Sequence, residues 1–263
     1  MSKPSGAIDM TQGKPINLML RFALPMMIGS IFQSLYSMVD SAVLGRFVGS
    51  HALAAIGATT STTGLILLLA TGVTSAISIV LSQYIGANNT DRVRKGIVAS
   101  GWITLLLGVV LGLISVFAAR PLMQLLKTPE DVIDMSVLYI QIVCGCGIAQ
   151  FTYNAAASIL RALGDSKTPL YFLILCSILN VILDLISVIG LNMGVAGVAV
   201  ATVGSQAISA AICILVMFRK YPDLMPKRHT LRPDMPVSLK IFGMGAQMAL
   251  QSLFPVSYTH LTL

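Results

Sequence analysis

The sequence is poor in charged and in chemically reactive residues. Only 10% of its 263 residues are Asp, Glu, Lys or Arg, whereas 56% are hydrophobic, and it contains 3 His and 4 Cys. A soluble domain carries about a quarter charged residues, so this composition excludes a soluble or disordered chain. We find no phosphate-binding loop, no nucleophile motif and no Cys and His spacing that suits a metal. The sequence therefore predicts neither an enzyme nor a protein with a cofactor.

Long hydrophobic runs are what the sequence does contain. They cover residues 18–43, 53–81, 97–119, 135–158, 169–189, 195–218 and 237–255. A helix rises about 1.5 Å per residue, so each of the first six runs can cross a hydrocarbon core of roughly 30 Å. We therefore predict an all-α fold, a polytopic transmembrane helix bundle whose six-helix lobe spans residues 18–218.

The segments outside this lobe are short. Residues 1–17 are predicted to form a polar tail and residues 219–236 a linker, after which residues 237–255 start a seventh helix. That run stops at Pro255. We interpret residues 256–263 as the non-native end of a truncated reading frame.

Basic residues are distributed unevenly between the two sides of the predicted bundle. Arg46, Arg120 and Lys127 fall on one side, and the other Lys and Arg residues fall on the side of the N-terminus. Because basic residues mark cytoplasmic loops, we predict a multi-pass protein of the cell inner (plasma) membrane with a cytoplasmic N-terminus. The net charge of +7 then reflects topology in a lipid bilayer and does not indicate binding of nucleic acid.

Two acidic residues, Asp40 and Asp184, lie inside apolar runs, and the other eight lie in tails or loops. No Lys or Arg lies deep in a run to neutralise this pair. A carboxylate in the bilayer costs a few kcal/mol, so it needs a proton, a cation or hydrogen bonds. The alternative is that each carboxylate reaches the outer interface or caps the following turn.

Helix direction and rise place both carboxylates roughly 5–8 Å below the outer edge of the membrane. Asn180 lies one turn from Asp184 on the same face, and Tyr139 and Thr202 lie at similar depth on neighbouring helices. Oxygen ligands of this kind suit Na⁺ or a shared proton. We therefore predict that Asp40, Asn180 and Asp184, with Tyr139 and Thr202 beside them, bind H⁺ or Na⁺.

The first run also carries polar residues at helical spacing. Gln33 and Ser37 follow one face toward the first acid, with Tyr36 beside them, and we predict that these three residues line a cavity. Pro25 removes a backbone hydrogen bond further down the same helix, where a bend could form. The alternative is a proline that is simply tolerated near the helix start.

Several stretches of the sequence form a recognisable set: LPMMIG at 24–29, VD at 39–40, LGR at 44–46, ALAAIG at 52–57, ILRALGDSKTP at 159–169, LN at 179–180, LD at 183–184 and GVAGVA at 194–199. Together they resemble the multidrug and toxic compound extrusion (MATE) transporters, with the DinF-like prokaryotic branch as the most similar. The resemblance covers residues 15–250.

The resemblance implies a protein of twelve helices in two six-helix lobes, of which this chain would supply the N-terminal lobe and lack the C-terminal lobe. It implies export of a small-molecule drug or organic cation in exchange for H⁺ or Na⁺. The family's ion-binding residues match Asp40, Asn180 and Asp184, and Pro25 matches a proline linked to bending of helix one.

Other functions are weighed against this one. A lipid-linked glycan flippase of the same superfamily usually carries several basic residues in its cavity, whereas we expect none at depth here. A membrane-embedded enzyme or a receptor-like bundle would need a catalytic His or Glu cluster or a large ectodomain. The residues therefore favour an antiporter for cationic or amphipathic drugs.

Overall fold

The computed structural model describes residues 15–226 and 231–261, which form a bundle of α-helices without a strand. The helices are α1 Pro15–Phe47, α2 Ser50–Gly86, α3 Thr90–Leu125, α4 Glu130–Gly145, α5 Ile148–Ala162, α6 Lys167–Asp184, α7 Gly194–Lys220 and α8 Met235–Leu261. A π-helical turn, Leu185–Gly190, extends α6, and a 3-10 turn, Pro222–Leu224, follows α7. The predicted all-α helix bundle is confirmed.

Four helices of the described residues are long and apolar enough to cross a membrane: α2, α3, α6 with its π-helical extension, and α7. A fifth span is obtained if α4 and α5, which meet at an angle of 43°, are counted as one. The remaining helix of the predicted lobe, α1, is a helix of 33 residues.

The single helix predicted over residues 135–158 is wrong, because the structure breaks it between α4 and α5. Two glycines of α3 face this break. A Cβ atom at Gly112 would lie 2.8 Å from the carbonyl oxygen of Gly145, and one at Gly108 would lie 3.0 Å from the Cα atom of Ile148. The backbone of α3 therefore packs directly against the break. Irregular backbone at membrane depth is tolerated where protein covers it in this way.

One end of the bundle gathers the α2–α3 turn, the α5–α6 loop and the segment after α7, and we call it the basic end. Arg94 donates to the Asp223 carbonyl oxygen at 2.9 and 2.6 Å there. Lys95 pairs with Asp91 at 3.3 Å and with Asp234 at 3.4 Å. These contacts bind the segment after α7 to the start of α3. Which end faces the cytoplasm stays a prediction.

The last helix, α8, packs along α2. A Cβ atom at Gly72 of α2 would lie 2.8 Å from the backbone nitrogen of Ala249, so the two backbones are in direct contact. The helix continues to Leu261, so the backbone does not leave the helix at Pro255, where the apolar run stops. Residues 1–14, which make up most of the predicted tail, lie outside the described residues.

Candidate functional site

The two membrane-buried acids of the sequence meet between α1 and α6. The carboxyl groups of Asp40 and Asp184 are close neighbours and interact with each other. Asp184 is 0% exposed and Asn180, one turn earlier on α6, is 1% exposed. Asp40 is half-buried. We call Asp40 and Asp184 the acid pair.

Acceptor oxygens without donors surround this contact. Asp40 Oδ1, Asn180 Oδ1 and both carboxyl oxygens of Asp184 are buried, and none has a hydrogen-bond partner among the described residues. The amide nitrogen of Asn180 donates to the Thr202 hydroxyl at 3.5 Å, which leaves its oxygen available as an acceptor. No ion pair in the described part of the chain involves either acid. Two carboxylates in contact repel each other, so this arrangement favours a shared proton or a bound cation.

Tyr139, on α4, lies close enough to Asp40 and Asp184 for their charges to act on its side chain. It packs against a buried apolar cluster that includes Leu44 and Val188. Leu44 follows Asp40 by one helical turn and Val188 follows Asp184 by four residues, so this cluster separates the acid pair from the end opposite to the basic end. The structure thus brings together the five residues predicted to bind the ion; their role in binding stays a prediction.

The π-helical turn begins directly after Asp184. In a π-turn the backbone hydrogen bond closes over five residues, which widens the helix, and such turns are frequent at functional sites. Asp184 therefore lies where α6 changes from α-helical to π-helical geometry. The run LISVIG gives no sign of this change, so it is visible only in the structure.

A cavity of about 180 Å³ lies between α1, α5, α6 and α7. Pro25, Gln33 and Tyr36 line it, and Tyr36 is one turn from Asp40, so the cavity leads toward the acid pair. Ser37 is not among its lining residues, and the Ser37 hydroxyl donates to the Gln33 carbonyl oxygen at 3.1 Å. Because α1 is assigned as one helix through Pro25, a bend there stays a prediction.

The wall of the cavity formed by α5 was missed by sequence reasoning. Gln150, Tyr153, Asn154 and Arg161 all line the cavity from this helix. The basic residue in this wall was not expected: Arg161 lines the cavity from the last turn of α5, near the basic end. Its spacing of seven residues from Asn154 and eleven from Gln150, which repeats on one helix face, is the signal that could have revealed this polar stripe.

A second carboxylate site lies at the basic end. Asp165 was expected in an open loop, but it is 1% exposed. It accepts hydrogen bonds from the Thr168 backbone nitrogen at 3.0 Å, the Thr168 hydroxyl at 2.6 Å and the Lys220 ammonium at 2.6 Å. Burial by itself would raise the pKa of Asp165, but these donors hold that pKa below its usual value. Asp165 is therefore a buried, ionised and fully partnered carboxylate.

Comparison with known proteins agrees with this geometry. The family model described as MatE matches residues 25–186, which is more than half of the chain. The probable multidrug resistance protein YpnP of Bacillus subtilis is 31% identical over 94% of this chain and 55% of its own length. The multidrug export protein MepA of Staphylococcus saprophyticus is 24% identical over 89% of this chain and 52% of its own length.

A solved structure described as the outward-facing conformation of a multidrug resistance MATE family transporter of the MOP superfamily superimposes with a TM-score of 0.85. It is 26% identical, and the match covers 92% of this chain and 53% of that structure. The chain thus spans about half the length of the relatives that it matches. On the family model and these relatives together, the chain belongs to the MatE family and corresponds to the N-terminal half of a MATE transporter.

Proposed function

We propose that the full-length protein containing this chain is a secondary antiporter, which exports cationic or amphipathic drugs in exchange for H⁺ or Na⁺. The observation that carries this proposal is the group of buried acceptor oxygens on Asp40, Asn180 and Asp184 that have no donor among the described residues. Relatives named for multidrug resistance and multidrug export support the substrate class. Membrane transport, and not catalysis, is the proposed activity.

The coupling step follows from the charge of the acid pair. Without a bound ion, the two carboxylates repel each other and attract a cationic drug from the adjoining cavity. When a proton or Na⁺ binds, the negative charge falls and the two acids draw together. Because Asp40 lies on α1, this change pulls on the half of α1 beyond Pro25, and a bend there would reduce the cavity and release the drug.

The proposed orientation places the basic end in the cytoplasm of a cell with the protein in its inner membrane. Drugs would then be released at the end beyond the apolar cluster of Leu44 and Val188. A lipid-linked glycan flippase is not favoured, because among the described residues lining the cavity Arg161 is the only Lys or Arg. A pyrophosphate group would require several positive charges.

The test is drug flux in right-side-out proteoliposomes of the full-length protein. Asp184→Asn should abolish drug flux driven by an ion gradient, because a neutral amide cannot exchange charge for a proton or Na⁺. The matched control is Asp134→Asn, since the Asp134 side chain is 78% exposed and pairs with Arg120 at the surface. Flux of the Asp184→Asn variant at the wild-type rate would show that the ion assignment is wrong.

The same vesicles separate the two coupling ions. A pH gradient without Na⁺ should drive export if the acids share a proton. A Na⁺ gradient at constant pH should drive it if the acceptor oxygens hold Na⁺. Drug accumulation that follows neither gradient would contradict antiport as a whole.

A further inference from the structure

We propose that Arg161 forms a subsite for the carboxylate group of an amphipathic substrate, at the end of the cavity that is nearest the basic end. This inference rests on the proposed transport function and adds the substrate class: a molecule that carries an anionic group as well as an apolar or cationic body.

The guanidinium of Arg161 has no ionic partner in residues 15–226 and 231–261. It donates one hydrogen bond, to the hydroxyl of Ser158 at 2.8 Å. Asp165 is only four residues away in sequence, but its carboxylate is held by Lys220 and Thr168. A guanidinium has five N–H donors, and a half-buried one without a carboxylate is costly inside a membrane bundle. The charge and most of the N–H donors of Arg161 therefore have no partner among the described side chains.

Ser166 is a second polar residue of the cavity wall whose hydroxyl is unused among the described residues. Ser166, before the first turn of α6, lines the same cavity and is 4% exposed. Its hydroxyl is buried without a hydrogen-bond partner among the described residues. Tyr153 donates to the Pro169 carbonyl oxygen at 3.1 Å, which holds α5 and α6 together at this level. A guanidinium and a hydroxyl that line one cavity are suitable donors for a carboxylate.

The two ends of the cavity differ in charge. Along α1 the cavity extends from Pro25 to Tyr36, eleven residues or about 16 Å of helix, and the acid pair lies one turn further on. Arg161 stands at the opposite end, and both polar and apolar residues, among them Gln33, Asn154 and Leu173, also line the cavity. A substrate with its carboxylate at Arg161 and a cationic or apolar body toward the acid pair matches this polarity.

The test compares two probes that differ in the anionic group alone: a rhodamine with a free carboxylate and its methyl ester. Their affinities are measured by fluorescence polarisation on the detergent-solubilised full-length protein. In Arg161→Gln the affinity for the acid should fall about tenfold, as expected for the loss of a charged hydrogen bond, with the affinity for the ester unchanged. Arg161→Lys should keep most of the affinity for the acid. Arg120→Gln, a surface guanidinium at the other end of the bundle, is the matched control.

An equal loss for acid and ester in Arg161→Gln would overturn the proposal, because it would assign Arg161 to the structure or to a carboxylate from the second half of the protein. Equal affinities of wild type and Arg161→Gln for the acid would also overturn it. Equal affinities of the wild type for the acid and the ester, together with binding of a short-chain phosphatidic acid that Arg161→Gln abolishes, would assign Arg161 to a lipid headgroup instead. Binding in detergent needs no ion gradient, so a failure of ion-coupled flux in Asp184→Asn vesicles is read separately from a failure here.

Discussion

Two buried carboxylate sites in this lobe differ in how their charge is compensated. Asp165 at the basic end is 1% exposed and accepts from Lys220 and Thr168. Asp184 is 0% exposed, faces another acid and has no donor among the described residues. The two carboxylates are equally buried, but Asp165 is paired with a cation, whereas Asp184 lies beside another acid.

The difference shows how a membrane bundle separates structure from function. An ion pair with satisfied hydrogen bonds holds its surroundings in one arrangement, and at Asp165 it joins the α5–α6 loop to the end of α7. Removal of one partner from such a pair is strongly destabilising. A carboxylate without a partner gains by binding something from outside. We therefore expect stability to depend on Asp165, and transport to depend on Asp184.

The largest effect on stability is expected from Asp165→Asn. This change leaves the Lys220 ammonium without its carboxylate, although the Lys220 side chain keeps 25% exposure and some contact with water. We expect a loss of about 2–3 kcal/mol, near the lower end for a broken buried pair. Thermal unfolding of the full-length protein in detergent measures it. Lys220→Met combined with Asp165→Asn should recover part of the loss, and no change in Tm for Asp165→Asn would contradict a structural role.

Acid should remove part of the same stabilisation. Because the pKa of Asp165 is lowered in the folded protein, its contribution is complete above its unfolded pKa of about 3.9. The contribution is lost as the pH falls from there through the folded value. The difference in Tm between wild type and Asp165→Asn should therefore be constant from neutral pH to about pH 5 and shrink below about pH 4. A difference that already shrinks near neutral pH would mean that the carboxylate is not held by its donors.

The smallest effect, and the opposite sign, is expected for Asp184→Asn. A neutral amide removes the repulsion within the acid pair, so the folded protein should gain about 1 kcal/mol. The gain should be greatest without Na⁺, because a bound cation would compensate the charge of the pair in the wild type. Asp134→Asn serves as the control in the same thermal unfolding measurement. A fall in Tm as large as that of Asp165→Asn would remove the contrast between the two sites.

Sequence reasoning located the acid pair but not the site of Asp165. Asp40 and Asp184 interrupt long apolar runs. An acid inside such a run is costly in a bilayer and therefore indicates a functional site. Asp165 lies in a short polar connection, where an exposed carboxylate is the normal expectation. Its partner Lys220 is 55 residues away in sequence, so no local sequence pattern predicts the pair.

Local sequence likewise does not indicate the break between α4 and α5 or the position of Arg161. An apolar run gives the length of a span, but it does not show whether a neighbouring backbone interrupts the helix. Here Gly108 and Gly112 of α3 bring that backbone against the break. Arg161 follows the apolar run that ends at residue 158 and was expected on the side of the N-terminus, yet it lines the cavity from α5.

The sequence by itself determined the class of this protein, its helices and the two acids that the membrane isolates, since each of these depends on hydropathy along a single segment. The tertiary structure decided which polar groups meet: the contact of Asp40 with Asp184, the partners of Asp165 and the charge that lines the cavity. These depend on distances between helices, and inside a membrane bundle such distances determine whether a buried charge is compensated or is left to bind an ion or a substrate.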